Sequence, residues 1–291
     1  MRPTINQARR KRAFTIVELL TVMSIIVILI GLLVPALNKA RRYATLVKQK
    51  AQLHSMDAAI ELFNNEYGGY PPSDALDGRL AGREPYCGAM KLCEALMGQD
   101  LLGPHSLSVF RRDGSDSTGT IQLYPQNPSE ANRKARKGPY IAAESANALP
   151  LGKIYKDVGS FATSNYVLCD VYERQMNTGE KTGMPILYYK ANTANTFHDP
   201  NLAPTIDNSM RNIYNYWDNQ QLVTLGKPWE SAGATHALAT PARFYQNTQN
   251  HLITTANQPY RADEYILLSA GWDGEYGTGD DVCNFEWKYR E

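Results

Sequence analysis

The residues best suited to chemistry lie near the C-terminus, in Ala270-Gly271-Trp272-Asp273-Gly274-Glu275-Tyr276-Gly277-Thr278-Gly279-Asp280-Asp281. Three aspartates and a glutamate are set among four glycines. Hard oxygens on a tight, glycine-permitted backbone are what calcium takes, with roughly 6–8 oxygen ligands at about 2.3–2.6 Å. The spacing is not that of an EF-hand, since the D-x-D-x-D-G run and its twelfth-position Glu are absent. The same composition suits an acidic hairpin turn, because Asp and Gly are ordinary turn residues. Glu18 is the second candidate. It stands alone as a charge within the 24 mostly apolar residues from Phe14 to Leu37, and an acid inside such a run is costly unless it has a task. Snorkelling towards headgroups is the alternative. The five histidines (His54, His105, His198, His236, His251) form no H-E-x-x-H or i, i+4 group and read as surface or loop residues. No nucleophile elbow, P-loop or dinucleotide fingerprint occurs, so no enzyme is expected.

The element that must position Glu18 is an apolar run long enough for one membrane crossing at about 20 residues. Arg9-Arg10-Lys11-Arg12 precede it and Asn38-Lys39-Ala40-Arg41-Arg42 follow it. A secretory signal peptide would carry a small-residue cleavage site after the apolar stretch. None is present there, nor any nearby Cys for lipidation. A plain anchor explains the run but not Glu18.

The segment Arg12-Ala13-Phe14-Thr15-Ile16-Val17-Glu18-Leu19-Leu20 resembles the processing site of type IV prepilins and type II secretion pseudopilins. That site has a basic residue, Gly or Ala, Phe-Thr, two apolar residues, Glu and Leu. Ala13 stands for the commoner Gly, and Pro35 sits where pilin helices carry a proline. The stretch Ala58–Pro71, ending Glu66-Tyr67-Gly68-Gly69-Tyr70-Pro71, and Lys137-Gly138-Pro139-Tyr140-Ile141 resemble the same family. So does the C-terminal loop, which is similar to the calcium loop of the major, G-type pseudopilin. The resemblance implies cleavage between Ala13 and Phe14 by a prepilin peptidase, N-methylation of Phe14, and pairing of Glu18 with a neighbour's new α-amine in a filament. It also implies calcium held by Asp273, Asp280 and Asp281 with backbone carbonyls near Ala270. The implied partners are other pseudopilins, further copies of this chain and the inner-membrane secretion platform. The chain would cross the inner membrane once, with its leader cytoplasmic and its C-terminal domain periplasmic. A minor or tip subunit, whose enlarged ectodomain binds a surface or secreted cargo, is the other reading.

Net charge is +1, and removing the five basic residues of 1–13 leaves −4. Such a balance gives no reason to expect nucleic acid. Five basic residues on each side of the apolar run tie the charge count, so orientation rests on the processing motif. The four cysteines, Cys87, Cys93, Cys169 and Cys283, allow three pairings or buried free thiols, and their spacing fits no zinc motif.

The expected organisation is a leader over 1–13, a transmembrane helix over 14–37 and its amphipathic continuation over 38–72. An enlarged, loop-rich ectodomain over 73–262 and a C-terminal β-hairpin over 263–291 follow. The continuation carries two apolar stripes, Ala36-Ala40-Tyr43-Val47 and Leu53-Met56-Ile60-Phe63-Tyr67, and Gly68 with Pro71-Pro72 ends it. A second helix is expected within Arg83–Leu102. Strands are expected at Tyr166–Tyr172, Ile186–Lys190, Tyr265–Ser269 and Phe285–Tyr289. The fold class is α+β in a pilin-like form: one long N-terminal helix packed on a small antiparallel sheet, ending in a calcium loop. About 190 residues lie between the segments that carry the resemblance.

Overall fold

The computed structural model describes residues 15–202, 211–230 and 234–285. The chain separates into two units, residues 1–44 and 45–291. Helix α1 (Ile16–Tyr67) runs unbroken through Pro35, which has no amide to offer the Gly31 carbonyl. Within it is an 18-residue window of mean hydropathy 2.8 with no residue buried, long and apolar enough to cross a membrane. The helix ends as the sequence predicts, with Gly68 turned left-handed (φ +73°) and its amide donating to the Asn64 carbonyl at 2.8 Å.

In the second unit the structure is α+β, built on small antiparallel sheets. The central sheet has the order β5 (Leu187–Lys190), β6 (Tyr265–Ser269), β7 (Val282–Cys283). Leu187 pairs with Leu268, Lys190 with Tyr265, and Ser269 with Val282. Two two-stranded ladders accompany it, β1 (Ala148–Pro150) with β2 (Tyr166–Leu168) and β3 (Arg174–Gln175) with β4 (Lys181–Thr182). The expected strand at Phe285–Tyr289 is not formed where it is described. Phe285 is in a bend, the last pairing is made by Val282–Cys283, and residues 286–291 lie outside the described residues. Beyond Cys283 the ladder is only half kept: the Asn284 amide still donates to the Leu267 carbonyl at 3.3 Å, but the Leu267 amide goes to Asn284 Oδ1 at 2.9 Å, and Asn284 Nδ2 donates to Asp57 of α1 at 3.0 Å.

Strands β5 and β6 are buried on both faces, which is why they read as apolar runs without alternation. Tyr188, Tyr265 and Leu267 enter one buried cluster with Leu53, Met56, Ala59, Ile60 and Phe63 of α1. Leu187, Tyr189, Ile266 and Leu268 point the other way, as the two-residue period of a strand requires. That second face is covered by the long stretch after β5, through Leu222 and Val223 of α3 (Trp217–Val223) and Phe244 and Tyr245 of α4 (Pro241–Thr248). The segment expected to be mostly loop is thus the lid of a second core.

Helix α2 (Gly88–Met97) is shorter than the Arg83–Leu102 window and buried along its whole length. It serves both clusters, Ala89 and Met90 facing one and Leu92 and Leu96 the other. All four cysteines are unpaired, with Cys87, Cys93 and Cys169 buried. Of the two apolar stripes on α1, only the second is covered. Ala36, Ala40, Tyr43 and Val47 are exposed, whereas Gln49 and Gln52 are buried. Those glutamines tie helix to sheet: Gln49 Oε1 accepts the Val171 amide at 2.9 Å, and Gln52 Nε2 donates to the Cys169 carbonyl at 2.9 Å.

Candidate functional site

Ala13 and Phe14 lie outside the described residues. Glu18 stands in the first turn of α1, in an arrangement the sequence reading missed. The Thr15 amide and hydroxyl both donate to Glu18 Oε2, at 2.9 and 2.8 Å, and the Glu18 amide donates back to Thr15 Oγ1 at 3.2 Å. This is a capping box, which satisfies amides that the helix start leaves without partners. Its signal, Thr-x-x-Glu ahead of an apolar run, was legible in the sequence.

The C-terminal loop joins β6 to β7. Ala270 at its start is buried. Gly271 (φ +64°) lets Asp280 close over it, since a β-carbon there would lie 2.3 Å from the Asp280 carbonyl oxygen. Asp280 Oδ2 then accepts the Asp273 amide at 2.9 Å, while Asp273 Oδ1 accepts the Glu275 amide at 2.7 Å. The two carboxylates converge on one hydroxyl, Thr278 Oγ1 standing 2.9 Å from Asp273 Oδ2 and 2.7 Å from Asp280 Oδ1. A hydroxyl has one proton, so it can donate to only one of them at a time.

Asp281 is turned onto the Gly277 amide through Oδ2, at 2.8 Å, and its Oδ1 is buried without a partner. Burial, with Asp280 and Asp273 adding like charge, pushes its carboxyl well above the usual range. Asp273 is pushed up by the same two causes. Among the described residues, no group of three or more His, Cys, Asp or Glu side chains is arranged to hold a metal ion. Two of the three aspartates meet, and the third stands aside with an unused oxygen.

The surroundings of the loop come from far along the chain, and sequence reasoning did not find them. Arg174, half-buried at the start of β3, lies 4.2 Å over the Trp229 ring and donates to the Trp272 carbonyl. It packs so closely on the loop that a β-carbon at Gly274 would be 2.6 Å from Cζ. Loss of solvation lowers its pKa, and Asp170, Asp273 and Asp280 act against that. Glu275, which composition suggests is a turn residue facing solvent, is instead ion-paired with Lys227 at 2.5 Å and accepts the Ala237 amide at 3.1 Å. At the loop's root, the Ser269 hydroxyl donates to buried Asp170 at 3.0 Å.

His198 and His236 stand in loop segments and His105 in an isolated bridge, and all three are buried. His236 Nδ1 accepts the Tyr276 amide at 3.2 Å, which leaves Nε2–H to donate to the Gly226 carbonyl at 3.1 Å. Burial pushes both His198 and His236 down to about 4. They are neutral bracing groups.

The enlarged region holds a polar cavity of about 790 Å³, whose lining includes Glu84, Glu94, Gln99, Arg112, Asp113 and Asn165. Glu94 is fully buried there, with its acceptor capacity taken by Tyr86 (2.7 Å), Gln99 (2.9 Å), Ser108 (2.5 Å) and Tyr124 (3.0 Å). Burial raises its pKa against those four bonds. No protein-family model, curated protein or solved structure matches this chain.

Proposed function

We propose that this chain is a pseudopilin-type structural subunit, anchored by α1 in the inner membrane and assembled with its own kind into a secretion filament. The observation that carries this reading is the joint placement of motif and helix. In sequence, Arg12-Ala13-Phe14 come directly before Thr15, and Thr15 and Glu18 cap the start of one 52-residue helix. The first half of that helix is apolar and exposed, and its C-terminal part packs on an antiparallel sheet. A helix built so needs lipid or other copies around its first half, because an exposed apolar surface of that extent is not stable in water. The exposed stripe Ala36-Ala40-Tyr43-Val47 extends the same need past the membrane.

In this reading a prepilin peptidase removes residues 1–13. Cleavage would put an α-amine beside Glu18, whose carboxylate could pair with the amine of a neighbouring copy and so set the axial register. Glu18 then has two duties, capping its own helix and meeting its neighbour. Calcium is the cofactor that the loop would take. The donor chemistry suits it, since the donors are all oxygen, two carboxylates share one hydroxyl proton and buried Asp281 Oδ1 lacks a partner, while the three carboxylates are not gathered round one point. Asp273, Asp280, Asp281 and the Ala270 carbonyl would hold the ion, which would supply positive charge where the loop gathers carboxylates. A second reading, a minor or tip subunit, is favoured by the enlarged region with its polar cavity of about 790 Å³.

The test is the mature N-terminus. Mass spectrometry of the membrane-bound chain, made alongside a prepilin peptidase, is expected to find Phe14 first. Ala13→Leu should leave the chain uncut. An intact Met1 terminus in the unmodified chain would overturn the family reading.

A further inference from the structure

A second cavity, of about 500 Å³, opens where the segment after β5 meets the chain that follows α1. Exposure grades its lining from mouth to floor. Asn192 and Thr193 are exposed, Asn215 and Lys190 half-buried, and Ser73 and Asp218 buried.

Asp218, in the first turn of α3, is the unusual group. Its Oδ2 takes the Ser73 hydroxyl, and its Oδ1 is buried without a hydrogen-bond partner. A carboxyl oxygen left so is costly, because its bonds to water are lost and not replaced. The neighbouring side chains cannot make this good. Ser73 has spent its one proton, and its oxygen accepts the Lys190 amide at 3.0 Å. Lys91 gives its three protons to the Asp74 and Leu76 carbonyls, at 2.7 and 2.8 Å, and to Asp74 Oδ1 at 2.8 Å. A donor for Asp218 Oδ1 must therefore come from whatever fills the cavity.

The upper wall offers the complement. Asn192 Oδ1 accepts the Ala194 amide at 3.2 Å, and Asn215 Oδ1 accepts the Trp217 amide at 3.0 Å. Among the described residues neither Nδ2 has a partner, so each has two protons to give. Charge then selects the class of ligand. Asp74 is answered by Lys91 and Arg83, which leaves Lys190 and Asp218, one of each sign. A simple anion or cation would suit only one of them. Hydroxyl groups suit both, since each donates one proton and accepts through its lone pairs. The volume lies within the roughly 300–1,000 Å³ of small-molecule sites, more than a single amino acid or simple amine fills. Phe197, bridged to Asn212 in the wall, keeps its ring half-exposed, an apolar surface suited to the C–H face of a sugar ring.

We propose that this cavity binds a neutral sugar, one of whose hydroxyls donates to Asp218 Oδ1 while others accept from Asn192 and Asn215. The site lies within residues 45–291. It goes beyond the filament reading and does not depend on it.

The full-length chain, held in a detergent without a sugar headgroup, tests this with cellobiose, lactose and diacetylchitobiose. Saturation-transfer NMR detects binding and titration calorimetry gives Kd. At least one of the three should bind. Asp218→Asn keeps the shape of the floor and removes its charged acceptor, so binding should weaken roughly tenfold or more. Asn192→Asp keeps the bond to the Ala194 amide but replaces the donor with a carboxylate oxygen. At that exposed position the fold should stand and binding should weaken several-fold. If Asp218→Asn fails to fold, Asn192→Asp alone decides. No binding of any of the three sugars to the unmodified chain overturns the proposal. An unchanged Kd in either folded variant also does so, because the sugar would then sit elsewhere. Tighter binding of lysine or ethanolamine than of any sugar overturns it too, by making the floor an ammonium site. None of these results bears on cleavage before Phe14, so the filament reading stands or falls separately.

Discussion

If the 270–281 loop is a calcium site, Asp280→Asn should change the sign of its effect when calcium is added. Without metal, Asp273 and Asp280 crowd one Thr278 hydroxyl, at 2.9 and 2.7 Å. Amidating Asp280 removes a like charge and supplies a donor, so the metal-free protein should be unchanged or more stable by up to about 1 kcal/mol, as expected for an exposed pair. With metal the same change removes a ligand. Extracytoplasmic calcium modules bind at roughly 10⁻⁴–10⁻³ M. At a hundredfold excess over Kd the folded state gains about 2.7 kcal/mol, or about 5–10 °C in Tm for a domain of this size. The assay is thermal melting of residues 45–291, which contain both buried clusters, in chelator, calcium and magnesium. The unmodified protein should gain several degrees in calcium and less in magnesium, which holds its waters in a tighter octahedron. Asp273→Ala and Asp281→Ala should abolish the gain, and exposed Glu173→Ala should keep it. If calcium leaves the unmodified melting curve in place, the aspartates form a turn and nothing more. If Asp280→Asn acts in the same direction in chelator and in calcium, the shared-hydroxyl argument is wrong.

Arg174→Met should raise calcium affinity several-fold by calorimetry, because it removes a cation held against the loop. It should also lower metal-free stability by about 1–2 kcal/mol through loss of the Trp229 stack and the bond to the Trp272 carbonyl; weaker calcium binding would refute the role. For Glu18, glutamine separates cap from charge. A capping box accepts Gln at that position, so Glu18→Gln should keep the helix start yet fail to assemble, whereas normal filament yield would reduce Glu18 to a cap. On acidification, buried His198 and His236 should cost stability. Their folded pKa of about 4 lies below the ordinary 6.5, so the unfolded chain takes up protons first and stability falls from about pH 6.5 down to about pH 4. Asp218 runs the other way. Burial pushes it up to about 7, so its contribution is lost as pH rises from about 4 to 7. His198→Gln should flatten the acid limb of a denaturation series, and an unchanged limb would show that this imidazole is not what titrates.

What the sequence alone determined was local in origin. The extent of α1 followed from an apolar run, a spaced stripe and a glycine ahead of two prolines. Strands β5 and β6 were legible because four or five consecutive large apolar residues between polar stretches have few other uses. The loop's aspartates were visible as composition, and the cap at Thr15 and Glu18 was visible although it went unread. The tertiary structure decided everything that joins distant residues. It put the first stripe of α1 in the open and the second under the sheet, a distinction that the 3.6-residue period cannot make. It laid α3 and α4 over the far face of β5 and β6, where short helices in an Asn- and Thr-rich stretch carry too little periodicity to announce themselves. It also brought Arg174, Lys227 and His236 to the loop across gaps of about 40 to 100 residues. Helical and strand periods record only which side of its own element a residue faces. Which partner that side meets is set by how the elements pack.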